Sequence, residues 1–395
     1  MIASGSSFID HIICTNCKTK FNKNELLHLC PKCSKVLFVV YDIEKASQFV
    51  TKSSLEKRKR KDLWRIHEIM PVLDNKFRFT LGEGSTPLLS LNRLGKELNL
   101  HNLLLKDEGQ NPTGTFKSRG LCSAVSKAVE LGITEFVIPT AGNAGAALTA
   151  YCARSGTKAH VIMPTSSPKL IQSEVIRMGG DLALVDGLIS DAGKLAKEKS
   201  ELNGWYDVST LKEPYRVEGK KTMGLEIFED FNFSLPDAII YPTGGGTGIV
   251  GMWKAFNELE LLGLIGSERP KMISVQASDC APIIKAFDEK QDHAEFWNNA
   301  HTFAGGLQVP SAVGDYLILQ AIYESNGTAV AVSDELIKSS MFLLAKQEGI
   351  MLSPEAAATV AAVIELNNKK YFDKDEKIVL FGTGSGLTTP NEWID

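Results

Sequence analysis

The sequence predicts an α/β protein with a largely parallel sheet, preceded by a small cysteine-paired module. Three observations predict it. From about residue 76 onward, short apolar runs alternate with helical stretches. Several of the apolar runs end in glycine-rich turns. Before them stand two Cys-x-x-Cys pairs, Cys14/Cys17 and Cys30/Cys33, with twelve residues between the pairs.

Length and composition set the bounds. A chain of 395 residues that is 44% hydrophobic can bury more than one core, in two or three domains. Charged residues make up 23% and the net charge is -4, so nothing pulls the whole protein toward nucleic acid or an anionic membrane. Seven cysteines in a chain this long are no disulfide scaffold, and Cys122, Cys152 and Cys280 are scattered through apolar or helical surroundings. That usage fits a reducing compartment. Residues Met1 to Phe8 lack the basic region and apolar core of a secretory leader. No apolar run approaches the ~18–20 residues of a membrane span. The expectation is a soluble, cytoplasmic protein.

The elements follow in order. Residues 10–41 form a compact unit of two cysteine pairs and an apolar strand, Val36 to Tyr41. Residues 45–70 read as helical and basic, with Lys57, Arg58, Lys59, Arg60 and Lys61 unbroken and Glu56 one helical turn before Arg60. The run reads as a solvated face. A nucleic-acid patch is the sharper alternative, with no interleaved aromatics to support it. Strands then follow at Asn102 to Lys106, Glu135 to Pro139, Lys158 to Met163, Asp181 to Val185, Ala238 to Pro242, Lys271 to Gln276 and Lys377 to Gly382. Helices intervene at Ala144 to Arg154, Lys169 to Met178, Ser190 to Glu201 and Ile249 to Leu261. Such alternation implies crossover connections and parallel pairing.

Four segments carry chemistry. In Gln110–Gly120 a turn built from Asn111-Pro112 and Thr113-Gly114 breaks a strand and delivers Lys117 to a helix start. The partial positive charge of a helix N-terminus disfavours an ammonium, so an amine there deprotonates more easily, as a Schiff-base lysine must. Taken alone, Lys117 also reads as a solvent lysine on a first turn. In Pro139–Gly145 small residues let the backbone approach a flat ligand, and the Asn143 amide can donate to a ring oxygen. A tight turn with an Asn cap is the plainer alternative. In Tyr241–Ile249 the residues Gly244, Gly245, Gly246, Thr247 and Gly248 present successive N–H groups at a helix start. That is a phosphate cradle, or a bare flexible turn; it has neither the P-loop ending nor the dinucleotide spacing. In Phe381–Leu387 the last strand ends at Thr383 and Ser385. Either hydroxyl can donate to an unprotonated pyridine nitrogen, at the strand end where open α/β sheets bind ligands.

A lysine, an amide, a phosphate cradle and a late hydroxyl, in that order at strand-to-helix turns, resemble the fold type II pyridoxal-phosphate enzymes. The resemblance covers nearly the whole chain and is closest to the threonine synthases. Gly82–Leu88, Asn111–Gly120, Arg216–Thr222 and Thr383–Leu387 look like that family's motifs. Departures lie on the substrate side. Ser118 stands for an aspartate, Ala141 and Ala144 for hydroxyl residues, Thr210 and Leu211 for Asn and Ser, and Thr388 for a lysine.

The resemblance implies two open, mostly parallel sheets flanked by helices, as in the tryptophan synthase β chain. It implies a large cofactor-binding domain of residues 76–117 and 216–395 and a smaller mobile domain of residues 118–215. These follow a ribbon of residues 1–42 and a helical linker of residues 43–75. It further implies pyridoxal 5'-phosphate on Lys117 as a Schiff base, Asn143 at its ring hydroxyl, residues 244–248 on its phosphate, and Thr383 at the ring nitrogen with Ser385 as second choice. Arg216 would anchor a substrate phosphate, with Thr140, Ser85 and Thr86 as further substrate contacts. The activity implied is conversion of O-phospho-L-homoserine and water to L-threonine and phosphate, by a small-molecule enzyme expected as a homodimer.

The four cysteines have zinc-ribbon spacing, which gives a closed, structural Zn2+ site, or else a metal-free ribbon. The rival activities are a serine/threonine dehydratase or a phosphoserine β-replacement enzyme such as cysteate synthase. A binding protein on the same scaffold is the non-enzyme alternative, and retention of Lys117 argues against it.

Overall fold

A computed structural model describes residues 6–187 and 189–394. Residues 1–5, part of the stretch read for a leader and of the expected ribbon, lie outside the described residues, as does residue 395. The ribbon is an antiparallel sheet of β1 (Ile9–Cys14), β2 (Lys20–Asn22) and β3 (Leu37–Tyr41), in the order β2-β1-β3. Its inward residues Ile9, Ile12, Val36, Val39 and Tyr41 join the same apolar cluster as Phe136, Tyr206 and Leu317. It is therefore packed into the body of the protein.

Two further sheets follow, built from β4 (Leu88–Ser90), β5 (Asn102–Asp107), β6 (Glu135–Pro139), β7 (Lys158–Pro164), β8 (Asp181–Val185), β9 (Tyr206–Asp207), β10 (Ala238–Pro242), β11 (Lys271–Ala277), β12 (Thr328–Val332) and β13 (Lys377–Gly382). The larger has the order β12-β11-β10-β13-β5-β4, parallel except for the β4–β5 pair. The smaller is parallel, in the order β8-β7-β6-β9. All five residues of β10 are buried, as are the last five of β13, because helices cover both faces of a parallel sheet. The smaller sheet lies wholly within the segment 118–215.

Register decides where the chemistry can gather. Strand β13 pairs with β5 from Lys377↔Asn102 to Gly382↔Asp107, and with β10 on its other side. The turns that leave the C-terminal ends of these three strands are therefore neighbours. They are the lysine turn, the 383–387 turn and the glycine turn. The helix Lys117–Glu130 starts there and is buried from Ser118 to Ala128. It packs against the helices Asn143–Ser155 and Arg216–Asp230, so it ties the two sheets together.

The basic run departs from expectation. The helix Lys52–Lys57 stops before the run is complete, and Arg58 is extended. Glu56 and Arg60 thus do not share a helical face. Arg58 instead forms two hydrogen bonds of 2.8 Å with the buried carboxylate of Glu68, and Arg60 pairs with Asp62 at 2.5 Å. Outside a helix the two arginines of the run each reach a separate carboxylate. Residues 63–69 continue as 3-10 turns that bury Trp64, whose indole donates to the Phe79 carbonyl at 2.7 Å. Among the described residues no helix is long and apolar enough to cross a membrane.

Candidate active site

The lysine turn is shaped locally. Thr113 takes a left-handed φ of 59° and Gly114 one of 67°, which reverses the chain after β5. The hydroxyl of Ser118 bonds back to the Pro112 carbonyl and lies 3.2 Å from that of Thr113. This is the work that residue 118 does here in place of an aspartate. Thr115 bridges Gly384, Phe116 N donates to Thr383 O at 3.0 Å, and Ser385 N donates to Gly114 O at 2.9 Å. The 114–116 and 383–385 segments thus lie side by side, and Lys117 opens its helix beside the end of the last strand.

Among the described residues the Lys117 amine makes no hydrogen bond or ion pair. It lies 4.4 Å from the centre of the Phe116 ring. Its side chain is partly exposed, yet dense surrounding protein holds its pKa down to about 8. Burial is the largest cause, repulsion from Arg216 the second, and Glu355 opposes both.

The cradle follows β10. Gly246 has φ 75°, a conformation that admits a glycine readily. A side chain at Gly244 would collide with the Gly306 carbonyl, and one at Gly245 would come within 2.7 Å of Thr210 Cγ2. The N–H groups of Gly244, Gly245 and Gly246 have no acceptor among the described residues, although N–H groups in folded proteins are almost always paired. Gly306 N donates to Glu355 Oε1 at 2.7 Å, and Glu355 Oε2 is buried without a partner. Glu355 therefore joins the cradle side to the field around Lys117.

The other expected residues divide. Asn143 opens its helix after Gly142, and its amide is unbonded among the described residues. The Thr383 side chain is buried and likewise unbonded, whereas the Ser385 hydroxyl caps the last turn by accepting Leu387 N at 3.2 Å. Thr383 is thus the free hydroxyl of the pair. Arg216 is buried at the start of its helix. It donates Nη1 to Val208 O at 2.6 Å and leaves Nε buried and unpaired. The Thr140 hydroxyl accepts Gly142 N at 2.9 Å, which leaves its own O–H to donate.

Ser85 and Thr86 make other contacts in this structure. The Thr86 hydroxyl faces a buried ion network, whereas the Ser85 hydroxyl is exposed and only its N–H reaches that network, at Glu226 Oε1. Ser85 bonds the Lys61 carbonyl, and Thr86 donates to Glu108 at 2.7 Å. They belong to the set in which Arg119 meets Glu108 and Glu226.

Sequence reading did not single out three charged groups around Lys117 and Arg216. Glu355 is one. Lys220, four residues after Arg216, lies 3.8 Å from the same Phe116 ring and donates to the Phe116 carbonyl. Burial, Lys117 and Arg216 hold its pKa well below the usual lysine value. Glu213 accepts the N–H groups of Tyr215 and Arg216 and is raised by burial to about 7. Lys220 lies within the Arg216–Thr222 motif and Glu213 just before it; nothing local marks Glu355.

At the ribbon, the Sγ atoms of Cys14, Cys17, Cys30 and Cys33 all lie within 4.8 Å of one another, with 3.4 Å for Cys14–Cys33 and 3.6 Å for Cys17–Cys30. Zinc–sulfur bonds of ~2.3 Å in a tetrahedron require sulfur separations of about 3.8 Å, so the donor set fits a Zn2+ ion.

Residues 79–384 match the family model of the pyridoxal-phosphate dependent enzymes. The chain is similar to a threonine synthase of Methanocaldococcus jannaschii, 36% identical over 96% of this chain and 93% of that protein. A threonine synthase of Methanosarcina acetivorans is 33% identical over 98% and 94%. Among solved structures, the fold is similar to a threonine deaminase isoform of Solanum lycopersicum, with TM-score 0.68, 20% identity and coverage of 95% and 98%. It is also similar to maize serine racemase, with TM-score 0.67, 21% identity and coverage of 78% and 90%.

Proposed function

Because the chain belongs to the pyridoxal-phosphate dependent enzymes and, within them, to the threonine synthases, we propose that it makes L-threonine and phosphate from O-phospho-L-homoserine and water at the recess around Lys117. The observation that carries the reading is an unpaired amine of lowered pKa beside a glycine turn with three unbonded N–H groups. Both lack partners that the cofactor would supply.

Residues 244–248 would hold the cofactor phosphate, Asn143 its ring hydroxyl and Thr383 its ring nitrogen, while Lys117 would hold its aldehyde carbon. Pyridoxal phosphate supplies an aldehyde that captures amines and a ring that spreads the charge of a deprotonated neighbouring carbon. The protein supplies the rest. Lys117, with a pKa of about 8, is uncharged often enough near neutrality to take the substrate's α proton. Arg216 would grip the substrate phosphate through its unpaired Nε and neutralise charge as phosphate departs. The buried 207–216 segment would keep water away except where it is to add. Displacement of the smaller domain, residues 118–215, would admit substrate.

The four cysteine thiolates support a structural zinc ion. The family resemblance supports a cytoplasmic setting and a homodimer. Phosphate and threonine formation from phosphohomoserine, with phosphoserine and threonine offered as competing substrates, tests the activity. Phosphate release from phosphoserine alone would replace this reading with β-replacement.

A further inference from the structure

We infer that the cysteine ribbon is a strut between two walls of the active site, with Tyr316 and Tyr206 as its positioning residues. The inference rests on the zinc and Arg216 readings above and deepens them.

The first wall is the cofactor cradle. Tyr316 is the second residue of the helix Asp315–Glu324. Its hydroxyl lies 2.5 Å from Thr15 Oγ1, inside the first cysteine pair, and accepts Val36 N at 3.2 Å just after the second. Lys35 Nζ sits 4.8 Å from the Tyr316 ring centre. Two residues on, Ile318 packs directly against Gly246, where any side chain would collide with it. On the same turn, a side chain at Gly314 would come within 2.5 Å of Leu211. What fixes Tyr316 therefore also fixes the floor of the cradle.

The second wall carries Arg216. Tyr206 lies on β9, the edge strand of the smaller sheet. It is 2% exposed and donates to the Leu27 carbonyl at 3.0 Å. Its ring stacks on His28 with 4.8 Å between centres. Asp207, next along, accepts Ser209 N at 2.8 Å; Val208 O receives the Arg216 guanidinium; Thr210 closes over Gly245. The ribbon thus grips the start of the segment that ends at the anion-binding arginine.

Leu27 and His28 sit in the loop between the two cysteine pairs. Short β2 and few local bonds otherwise order that loop. A metal held by all four thiolates closes it between Cys17 and Cys30 and so cuts the freedom it has to lose on meeting Tyr206. The same ion fixes the Thr15 turn that meets Tyr316. One ion sets the spacing of two walls that belong to different sheets.

The test uses the full-length holoenzyme with zinc quantified. Metal is stripped by chelation, or by Cys17→Ser if chelation unfolds the chain. Hydrogen exchange of peptides covering 204–216 and 314–319 is read with inhibition by inorganic phosphate, KM, kcat and cofactor absorbance. We expect one zinc per chain. Its loss should quicken exchange in both peptides and raise KM and the phosphate inhibition constant about threefold to tenfold. Changes in kcat and absorbance should stay below about twofold. Tyr206→Phe in zinc-loaded protein should give a smaller change of the same kind, and in zinc-free protein no further change, because contacts on one path do not add. Unchanged exchange on zinc loss, additive effects, or a chain without zinc would overturn the strut. If Arg216→Gln leaves phosphate inhibition unchanged while both peptides still respond to zinc, the arginine reading fails and the strut stands.

Discussion

Lys117 and Arg119 stand two residues apart on one buried helix, and the protein treats them in opposite ways. Behind the helix, Arg119 donates to Glu108 at 2.6 and 2.7 Å, to Glu226 at 2.6 and 2.8 Å and to Thr222 at 3.0 Å. Lys106 completes the set against Glu226 and Asp230. The Glu226 carboxyl is held well below the usual range by Arg119 and Lys106, which outweigh its own burial. In front of the helix, Lys117, Lys220 and the Nε of Arg216 have no carboxylate partner among the described residues. A saturated buried cation fixes architecture. A buried cation left unpaired destabilises the empty fold and is tolerated where a ligand completes it.

The comparison can be broken at four points, the largest effect first. Lys117→Ala should lower turnover by about 10³-fold or more and abolish the visible cofactor absorbance, with the unfolding midpoint of the apoprotein unchanged or raised. Full turnover in that variant would end the account. Arg119→Met should do the reverse, costing about 3–5 kcal/mol in denaturant unfolding because Glu108 and Glu226 are left buried and unpaired. Whatever folds should still bind cofactor.

Arg216→Gln should raise KM for the phosphate ester about 10- to 100-fold, the worth of a charged hydrogen bond. It also sharpens the electrostatics. A lysine with a pKa of about 8 is roughly one-tenth free base at pH 7, against under about 0.1% for an ordinary lysine. Cofactor uptake by the apoprotein should therefore rise with pH and level off above about 8. Removing the Arg216 charge relieves repulsion on the ammonium, so the inflection should move up in the variant. An inflection near 10 in the parent would contradict the burial argument. The smallest effect belongs to Thr383→Val, about threefold to tenfold in kcat, against less for Ser385→Ala, whose hydroxyl only caps a turn.

The same contrast explains what was legible in the sequence. Turns announce themselves locally. Asn111-Pro112, Gly142 and Gly244–Gly248 mark strand ends without tertiary information, and paired cysteines declare a ribbon by spacing alone. The saturated network was not legible, because Ser85 and Thr86 become structural only when Arg119 and Glu226, far apart in sequence, close around them. Glu355 was invisible for the same reason: it lies far from Lys117 in sequence and acts on it only through its charge in the folded chain. Arg58 and Arg60 read as helical by pattern, and distant Glu68 pulls the chain out of that pattern.

The claim on which all of this depends is that the cofactor sits on Lys117 and not on its neighbour Lys220, whose pKa is also lowered by burial and which shares the Phe116 ring. Borohydride reduction of the holoenzyme followed by peptide mass mapping decides between them. The account predicts one pyridoxyl group per chain, on the peptide containing Lys117. A pyridoxyl group on Lys220, or none on either lysine, would contradict it.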